Sequence, residues 1–438
     1  MKNKGIDSIN VITLGCSKNT VDSEFLMQQL VSAPVKVLHN APFEAARTLI
    51  INTCGFIKDA KMESIDTILQ AVQAKKDGKI ENLVVMGCLS ERYRKELEIE
   101  IPEVDKYFGV NALKHVIESI GLNYKNELAG ERLLSTPKHY AYLKVSEGCD
   151  RYCSFCAIPM IRGRHRSKTI DELLKEARYL GEAGVKELIL IAQDLTYYGI
   201  DIYKKRMLPD LVQRLSDLPF FKWIRLHYAY PAAFPRKLLQ VMKERENICQ
   251  YLDIPVQHIS DKVLRNMRRQ HDSQKTKEII NYIRGELPDI TLRTTLLVGH
   301  PGEGVKEFRE LEDFVRQFRF ERLGVFTYSE EEGTYGAVRY KDAVSEKTKI
   351  NRMERIMAIQ QQIALEQNNM KIGKEYKVLI DREEGDFYIG RTEADSPEVD
   401  NEVLIQNNSV CLNTGNLYQV KITSANNYDL FGEVISIT

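Results

Sequence analysis

The sequence predicts an α/β protein with three domains: an open α/β domain, a parallel β/α barrel and a small all-β barrel. In the first 125 residues, short continuous apolar runs alternate with amphipathic stretches, as expected for buried parallel strands joined by helices. The same alternation continues on a larger scale to about residue 329. Beyond residue 371 the pattern changes to short alternating strands punctuated by Gly, Asn and Asp, which indicates a small β-barrel.

The first domain is assigned to residues 1–125, and a more polar stretch at residues 126–138 is assigned as a linker. Continuous apolar runs predict parallel strands, and helical periodicity predicts helices between them. The predicted strands are Val11–Leu14, Leu49–Ile51 and Leu83–Met86, and the predicted helices are Asp22–Leu30 and Ile57–Ala74.

The central domain, residues 139–368, contains six predicted strand–helix units, which favour a partial or full parallel barrel. A long helix over Lys347–Asn369 leads out of it. The predicted strands are Ala141–Val145, Glu187–Ala192, Trp223–His227, Leu252–Val256, Thr291–Val298 and Arg322–Thr327. The predicted helices include Ile170–Ala183, Lys237–Arg245, Ser273–Arg284 and Val305–Phe318.

The last domain, residues 369–438, is predicted to form a small β-barrel of five strands. These strands are Tyr376–Ile380, Phe387–Arg391, Glu402–Ile405, Leu417–Ile422 and Asp429–Ser436.

The composition is that of an ordinary globular protein, with 28% charged residues and a formal net charge of zero. No apolar run approaches the ~20 residues that a membrane-spanning helix needs. The stretch from Met1 to Asp7 leads into a strand-like run without a cleavage site, so no secretory signal is expected. We therefore expect a cytoplasmic monomer that does not contact a membrane.

Eight cysteines in a chain without an export signal indicate metal or redox chemistry rather than a disulfide framework. Three of them, Cys149, Cys153 and Cys156, form a C-x3-C-x2-C pattern directly after a predicted strand. Thiolates are ligands for iron–sulfur clusters and for zinc. Three thiolates leave one iron of a four-iron cluster open to a chelating substrate. The alternative is a zinc site, for which His165 is the nearest candidate fourth ligand.

Three further cysteines, Cys16, Cys54 and Cys88, each follow the carboxyl end of a predicted parallel strand. In an open α/β sheet these strand ends lie side by side and form the ligand crevice. The spacing therefore predicts that three thiolates meet at one point and hold a second cluster. The alternative is that they are small buried apolar residues. Cys249 and Cys411 have no such setting and are interpreted as ordinary thiols.

The close triplet, with an aromatic residue before its last cysteine, resembles the motif of the radical S-adenosylmethionine (SAM) superfamily. The resemblance implies that the open iron binds SAM and that SAM is cleaved to a 5′-deoxyadenosyl radical. The segment Arg293–Glu303 is similar to the superfamily's later strand and to the glycine turn beside the adenine of SAM. The expected SAM contacts are Arg293, Gly299, Gly302 and Gln193. The alternative is an ordinary barrel turn with a surface arginine, and the local sequence departs from the family pattern at His300 and Gly304.

The whole chain resembles the methylthiotransferase family, which combines a flavodoxin-like domain carrying three cysteines, a radical SAM barrel and a C-terminal TRAM domain. The resemblance implies that Cys149, Cys153 and Cys156 bind the radical cluster. It also implies that the other triplet binds an auxiliary cluster carrying the methylated sulfur.

One branch of that family modifies an aspartate of ribosomal protein S-12, and another modifies an adenosine beside the tRNA anticodon. Leu14–Glu24, which begins Leu-Gly-Cys-Ser-Lys-Asn, is similar to the ribosomal-protein branch, whereas the tRNA branch usually has Gly-Cys-Gln-Met-Asn. The runs Ala192–Asp194, Tyr251–His258 and Gly324–Thr334 also resemble the ribosomal-protein branch. The resemblance therefore implies ribosomal protein S-12 or the small ribosomal subunit as substrate, with an external electron donor and a sulfur source as further partners.

Charge in the last domain favours the same branch. Residues 371–438 carry six Lys and Arg against twelve Asp and Glu, a net charge of −6. A surface that grips tRNA is expected to be basic, whereas an acidic surface suits a basic ribosomal protein. The first alternative is tRNA methylthiolation by the same chemistry. The second is a non-catalytic iron–sulfur protein that binds ribosomes.

Overall fold

The computed structural model describes residues 8–407 and 411–437. The described residues form three large sheets, namely an open five-stranded sheet, a six-stranded parallel sheet and a closed five-stranded barrel, together with one two-stranded sheet. The α/β class and the predicted order of the three domains are confirmed, while their residue boundaries stay predictions. Residues 1–7, on which the expected lack of a secretory signal depends, lie outside the described residues. None of the helices in the two described stretches is long and apolar enough to cross a membrane.

The first domain is an open parallel sheet with helices on its faces. Its strands are β1 (Ser8–Thr13), β2 (Lys36–His39), β3 (Thr48–Thr53), β4 (Asn82–Gly87) and β5 (Lys106–Tyr107). Its helices are α1 (Ser17–Val31), α2 (Lys58–Lys76), α3 (Cys88–Glu100) and α4 (Leu113–Ser119). The strand order β2-β1-β3-β4-β5 is the flavodoxin-like order. The crevice of such a sheet lies between β1 and β3, where the direction of winding reverses.

The central domain begins with β6 (Tyr140–Lys144), followed by the short strands β7 (Ser146–Glu147) and β8 (Arg166–Ser167). The remaining strands are β9 (Glu187–Ile191), β10 (Trp223–Leu226), β11 (Ile248–Asp253), β12 (Thr291–Val298) and β13 (Arg322–Thr327). Its helices are α5 (Ile158–Ile161), α6 (Ile170–Glu182), α7 (Ile200–Tyr203), α8 (Leu208–Ser216), α9 (Lys237–Glu244), α10 (Asp261–Asn266), α11 (Ser273–Glu286), α12 (Val305–Phe318), α13 (Tyr335–Arg339) and α14 (Glu346–Asn369).

The six long strands of this domain lie in the order β6-β9-β10-β11-β12-β13 and form a partial barrel. One face of the sheet packs against the helices and forms the main apolar core. The other face packs partly against α1, where Val21 joins Tyr140, Ile189 and their neighbours in a second cluster. The first domain therefore covers part of the barrel's inner face.

The last domain is a closed barrel of five strands, as predicted. The strands are β14 (Glu375–Glu384), β15 (Phe387–Arg391), β16 (Val403–Gln406), β17 (Leu417–Ala425) and β18 (Leu430–Ile437), paired in the order β14-β15-β16-β18-β17. Alternate apolar residues such as Val378, Ile380, Val420 and Ile422 fill its interior.

Buried ion pairs connect the first two domains. Arg132, in the connecting segment, is 1% exposed and lies between Glu24 of α1 (2.9 Å) and Glu176 of α6 (3.1 Å). On the opposite side, Arg92 of α3 donates to Glu331, in the loop after β13, at 2.6 Å. The polar stretch assigned as a linker is therefore packed into the structure.

The loop at 392–402 of the last domain enters the barrel. Its Asp395 pairs with Arg322, the first residue of β13, and its Asp400 lies 3.4 Å from Arg293 of β12. Arg391, just before the loop, donates to Glu187 of β9 at 2.8 Å. Part of the acidic excess of this domain therefore pairs with arginines of the barrel, and only the remainder faces outward.

Candidate functional site

The close cysteine triplet lies in a loop that is closed at its base by β7 and β8. Glu147 pairs with Arg166 in this two-stranded ladder, and the amide of Cys149 donates to the Gly163 carbonyl at 3.1 Å. Gly148 has φ +71°, and a Cβ at this position would lie 2.2 Å from the Arg164 carbonyl oxygen. Glycine is therefore favoured at the start of this loop, because its φ is positive and because a side chain would collide with the backbone.

The three cysteines of this loop are near one another and near a cation, Arg269. The amide of Arg151 donates to Cys149 Sγ at 3.3 Å, and Arg269 Nη1 lies 3.6 Å from Cys153 Sγ. Burial raises the pKa of Cys149 to about 12. Burial also raises the pKa of Cys156, and the neighbouring Cys153 and Cys149 raise it further. Metal binding at such a site replaces thiol protons, because the metal ligand is the thiolate.

The structure does not bring His165 to these cysteines. Its Nε2 lies 3.0 Å from Ser167 Oγ and 3.6 Å from Asp201. A mononuclear zinc site needs its sulfur ligands about 2.3 Å from one ion. Within the described residues, no three His, Cys, Asp or Glu side chains are arranged to hold a single metal ion.

The dispersed triplet converges at the crevice of the first domain. Cys16 follows β1, Cys54 follows β3 and Cys88 follows β4, and these three strands are neighbours in the sheet. A Cβ built on Gly15 would lie 2.9 Å from Cys54 Sγ, so the loop before Cys16 runs directly over Cys54. Burial raises the pKa of Cys88 to about 12, and the proximity of Cys16 and Cys54 raises it further. The three cysteines are therefore close neighbours at one edge of the sheet, and their role as ligands of a second cluster stays a prediction.

Helix α5 and the next residue, Arg162, lie between the two cysteine triplets and form a wall that both triplets contact. Helix α5 follows Cys156 directly, and its Ile161 packs with Ala157 against Cys88. Arg162, the next residue, donates through Nη2 to Asn19 Oδ1 at 2.6 Å. Cys88 Sγ lies 3.7 Å from the same oxygen.

Arg162 also pairs with two carboxylates, Asp22 at 3.1 Å and Glu147 at 3.0 Å. Lys144 pairs with the same two carboxylates. Sequence reasoning missed Arg162, although a cation between the buried Ile161 and a glycine, six residues after the last cysteine of the motif, was a usable signal.

The expected SAM contacts lie at the carboxyl side of the barrel or on its inner face. Arg293 is 3.3 Å from Asp253, so its carboxylate partners in this structure belong to the protein. Gly299 and Gly302 have positive φ, and a Cβ on them would meet Lys349 at 2.4 Å and Asn266 at 2.3 Å. A side chain at either position would collide with a neighbouring residue, so packing alone explains why both residues are glycines. Gln193 is half-buried in the loop after β9. As SAM contacts, these four residues stay predictions.

The two departures from the family pattern have local explanations. His300 is fully buried, and its Nε2 lies 3.1 Å from Ser154 Oγ in the cysteine loop. The amide of Gly304 donates to Glu307 at 2.8 Å and so caps α12. Both residues therefore serve the packing of the loop and helix that border the site.

The residues around Cys149 fit a cofactor with an anionic group. Arg151 stacks on Tyr230, with 4.2 Å from its guanidinium carbon to the ring centroid, and its Nε donates to Asp194 at 2.9 Å. Its buried Nη2 has no hydrogen-bond partner among the residues that the structure describes. A buried donor without a partner costs about 1–3 kcal/mol, more when charged, so a ligand acceptor at this point would stabilise the site.

Three family models match the chain. They are the Radical SAM superfamily over residues 143–315, the TRAM domain over residues 372–435 and Uncharacterized protein family UPF0004 over residues 8–109. The matches coincide with the barrel, the closed β-barrel and the open sheet.

Solved structures with low sequence identity support the fold. The radical S-adenosylmethionine methyltransferase TsrM from Kitasatospora setae superposes with a TM-score of 0.56 at 13% identity, covering 76% of this chain and 77% of that one. The cobalamin-dependent S-adenosylmethionine radical enzyme OxsB gives a TM-score of 0.52 at 12% identity, covering 81% of this chain and 56% of that one.

Curated relatives match over their full length. Ribosomal protein uS12 methylthiotransferase RimO of Bacteroides fragilis is 56% identical over 99% of this chain and 100% of its own. The proteins of the same name from Christiangramia forsetii and Porphyromonas gingivalis are 52% and 53% identical, each over 98% of this chain and over 95% and 99% of their own lengths. Such identity over the entire length, together with the three domain matches, shows that the chain belongs to the RimO family of radical SAM methylthiotransferases.

Proposed function

We propose that the protein transfers a methylthio group to the β-carbon of an aspartate in ribosomal protein uS12. The observation that carries the proposal is the placement of two cysteine triplets on opposite sides of one wall, formed by α5 and Arg162. Membership of the radical SAM superfamily implies SAM and one four-iron four-sulfur cluster. The second cluster is part of the proposal.

We assign the radical cluster to Cys149, Cys153 and Cys156, and the second cluster to the triplet at the strand ends of the first domain. When bound, SAM and the clusters supply a hydrogen-abstracting radical and a sulfur atom. The chain contributes six cysteines, of which Cys16 is exposed, Cys156 is half-buried and the other four are buried. It also contributes a closed loop and the cations Arg151, Arg162 and Arg269 near the sulfurs. Excluding water from such a site protects a reactive radical from side reactions.

The relatives named for uS12 support a protein substrate and do not favour the tRNA alternative. The charge of the last domain carries less weight than its sequence suggested, because Asp395 and Asp400 pair with Arg322 and Arg293 of the barrel. We further propose a cytoplasmic location, a monomer, an external electron donor and a separate sulfur source.

Iron analysis tests the two clusters. After anaerobic reconstitution, Cys54→Ala and Cys153→Ala are each expected to lose about half of the iron and sulfide, because the two sites are separate. Cys249→Ala is the matched control, since Cys249 is fully buried against Trp223 and Tyr251, away from both triplets. Full iron retention in Cys54→Ala would contradict the second cluster.

Product analysis tests the reaction. Reduced protein is expected to convert SAM to 5′-deoxyadenosine, which a non-catalytic iron–sulfur protein would not do. With uS12 present, mass spectrometry is expected to find one methylthio group on an aspartate. Modification of tRNA in place of uS12 would overturn the proposed substrate.

A further inference from the structure

Lys18 is a buried cation close to the dispersed triplet of Cys16, Cys54 and Cys88, the proposed ligands of the auxiliary cluster. It lies in the first turn of α1, two residues after Cys16, and it is only 5% exposed. Its Nζ lies 3.2 Å from the centroid of the Tyr228 ring. A cation at this distance over an aromatic face is attracted by the ring's negative quadrupole.

Lys18 differs from the other buried cations of the site because it has no carboxylate. Lys144 and Arg162 both pair with Asp22 and Glu147. Among the residues that the structure describes, no acceptor receives a hydrogen bond from Lys18 and no carboxylate lies within 4.0 Å of it. A carboxylate stabilises a largely buried ammonium, and the ~2 kcal/mol of a cation–π contact replaces that stabilisation only in part. A bound anion would therefore stabilise Lys18 in this position.

Lys18 lies where the first domain meets the loops at the carboxyl end of the barrel strands. Tyr228 follows β10, at the carboxyl end of the barrel strands, and its carbonyl accepts from the Leu195 amide at 3.0 Å. The loop that contains Leu195 also contains Asp194, the partner of Arg151 in the radical-cluster loop. The Lys18 ammonium thus lies on the boundary between the first domain and the barrel rim.

We propose that Lys18 binds the side-chain carboxylate of the aspartate that is modified, and so acts as a specificity-determining residue. The inference rests on the proposed function, since it presumes an aspartyl substrate. A lysine ammonium pairs with a carboxylate through a charge-assisted hydrogen bond, whereas the amide of asparagine, which has the same shape, offers only a neutral acceptor.

A carboxylate also occurs in the methionyl part of SAM, so the experiment must separate two sources of the same chemistry. Lys18→Met removes the charge while keeping a side chain of similar length. We expect its iron content, its affinity for SAM and its SAM cleavage without uS12 to match the wild type. Its dissociation constant for uS12 should rise about tenfold to 100-fold, the loss expected for one charged hydrogen bond. Lys18→Arg should recover part of this affinity.

A uS12 variant with asparagine at the target position sharpens the comparison. Wild-type protein should bind this variant more weakly than native uS12, whereas Lys18→Met should bind both equally. Lys168→Met is the matched control, because Lys168 also lies over an aromatic ring, Phe25, but has its own carboxylate, Glu176, at 2.6 Å. Its preference for aspartate should be unchanged.

Two results would overturn the assignment. One is a weaker affinity of Lys18→Met for SAM with unchanged affinity for uS12, which would assign the lysine to SAM. The other is an unchanged preference for aspartate over asparagine, or a loss of iron, either of which would leave Lys18 a structural role. Failure of the wild type to modify uS12 while cleaving SAM would instead refute the proposed function, so the two failures are distinguishable.

Discussion

At the scale of single residues, Arg162 is the side chain that connects the two cysteine triplets. It is 2% exposed, and it contacts Asn19, Asp22 and Glu147, which come from two different domains. Asn19 in turn holds the turns that carry the auxiliary cysteines, because its Nδ2 donates to the carbonyls of Leu14 (2.8 Å) and Thr53 (3.0 Å).

Replacing Arg162 with methionine is expected to destabilise the protein by about 1–3 kcal/mol, because Asp22 and Glu147 lose one of their two cationic partners and keep only Lys144. The loss of a positive charge beside Cys88 should also lower the reduction potential of the auxiliary cluster. Thermal unfolding and a redox titration followed by electron paramagnetic resonance measure the two effects. Arg164→Met is the control: Arg164 is 82% exposed and 3.5 Å from Asp150, so its loss should cost less than about 1 kcal/mol. Equal effects of the two changes would show that Arg162 has no special role.

At the scale of elements, the cysteine loop depends on the glycine that starts it. Gly148→Ala should prevent the loop from closing, because the new Cβ would lie 2.2 Å from a backbone oxygen that side-chain movement cannot clear. We expect loss of the radical cluster, measured as about half of the iron, together with loss of SAM cleavage.

Gly163→Ala is the matched control for this prediction. Gly163 has φ +72°, close to that of Gly148, but a Cβ there meets nothing within 4 Å. It should cost only the ~1–2 kcal/mol of a left-handed alanine and keep the cluster. If both variants kept the radical cluster, the steric argument for Gly148 would be wrong.

Elements with a strong apolar pattern could be predicted from the sequence, and those held mainly by edge pairing could not. Strand β3 is buried at all six residues, so its pattern is continuous and was found. Strand β2 lies at the sheet edge without a fully buried residue, and β5 has two residues, so neither has a periodicity to detect. Strand β11 ends at Asp253, earlier than predicted, because Pro255 lacks the amide that a strand ladder needs.

The candidate site likewise has a part that the sequence predicts and a part that it does not. Cysteines after strand ends are visible in a sequence because residue type and topology together define them. The partners of Arg162, Lys18 and Arg293 are not visible, because each depends on how two domains meet.

At the scale of the whole molecule, buried ion pairs and small apolar clusters together hold the domain boundaries. Asp395 is fully buried, and it meets Arg322 at the start of β13. Asp395→Ala is expected to destabilise the protein by about 3–5 kcal/mol and to loosen the last domain, because it leaves a buried guanidinium unpaired. Chemical denaturation and limited proteolysis measure both effects.

Glu433→Ala is the control for that prediction, since Glu433 lies on the exposed surface of the same small barrel. It should change the free energy of unfolding by no more than ~0.5 kcal/mol. Similar losses in the two variants would mean that the contact between Asp395 and Arg322 does not carry the domain interface.

The loop at 392–402 also constrains how this protein can be rebuilt. Asp395 and Asp400 of this loop pair with arginines of the central sheet. The C-terminal β-barrel therefore cannot be exchanged without changing contacts inside the central domain. A chimera that takes this barrel from a distant relative would need carboxylates at the positions of Asp395 and Asp400. Without them, Arg322 would lose its carboxylate and Arg293 would keep only Asp253, so the hybrid would be less stable whatever substrate it was meant to accept.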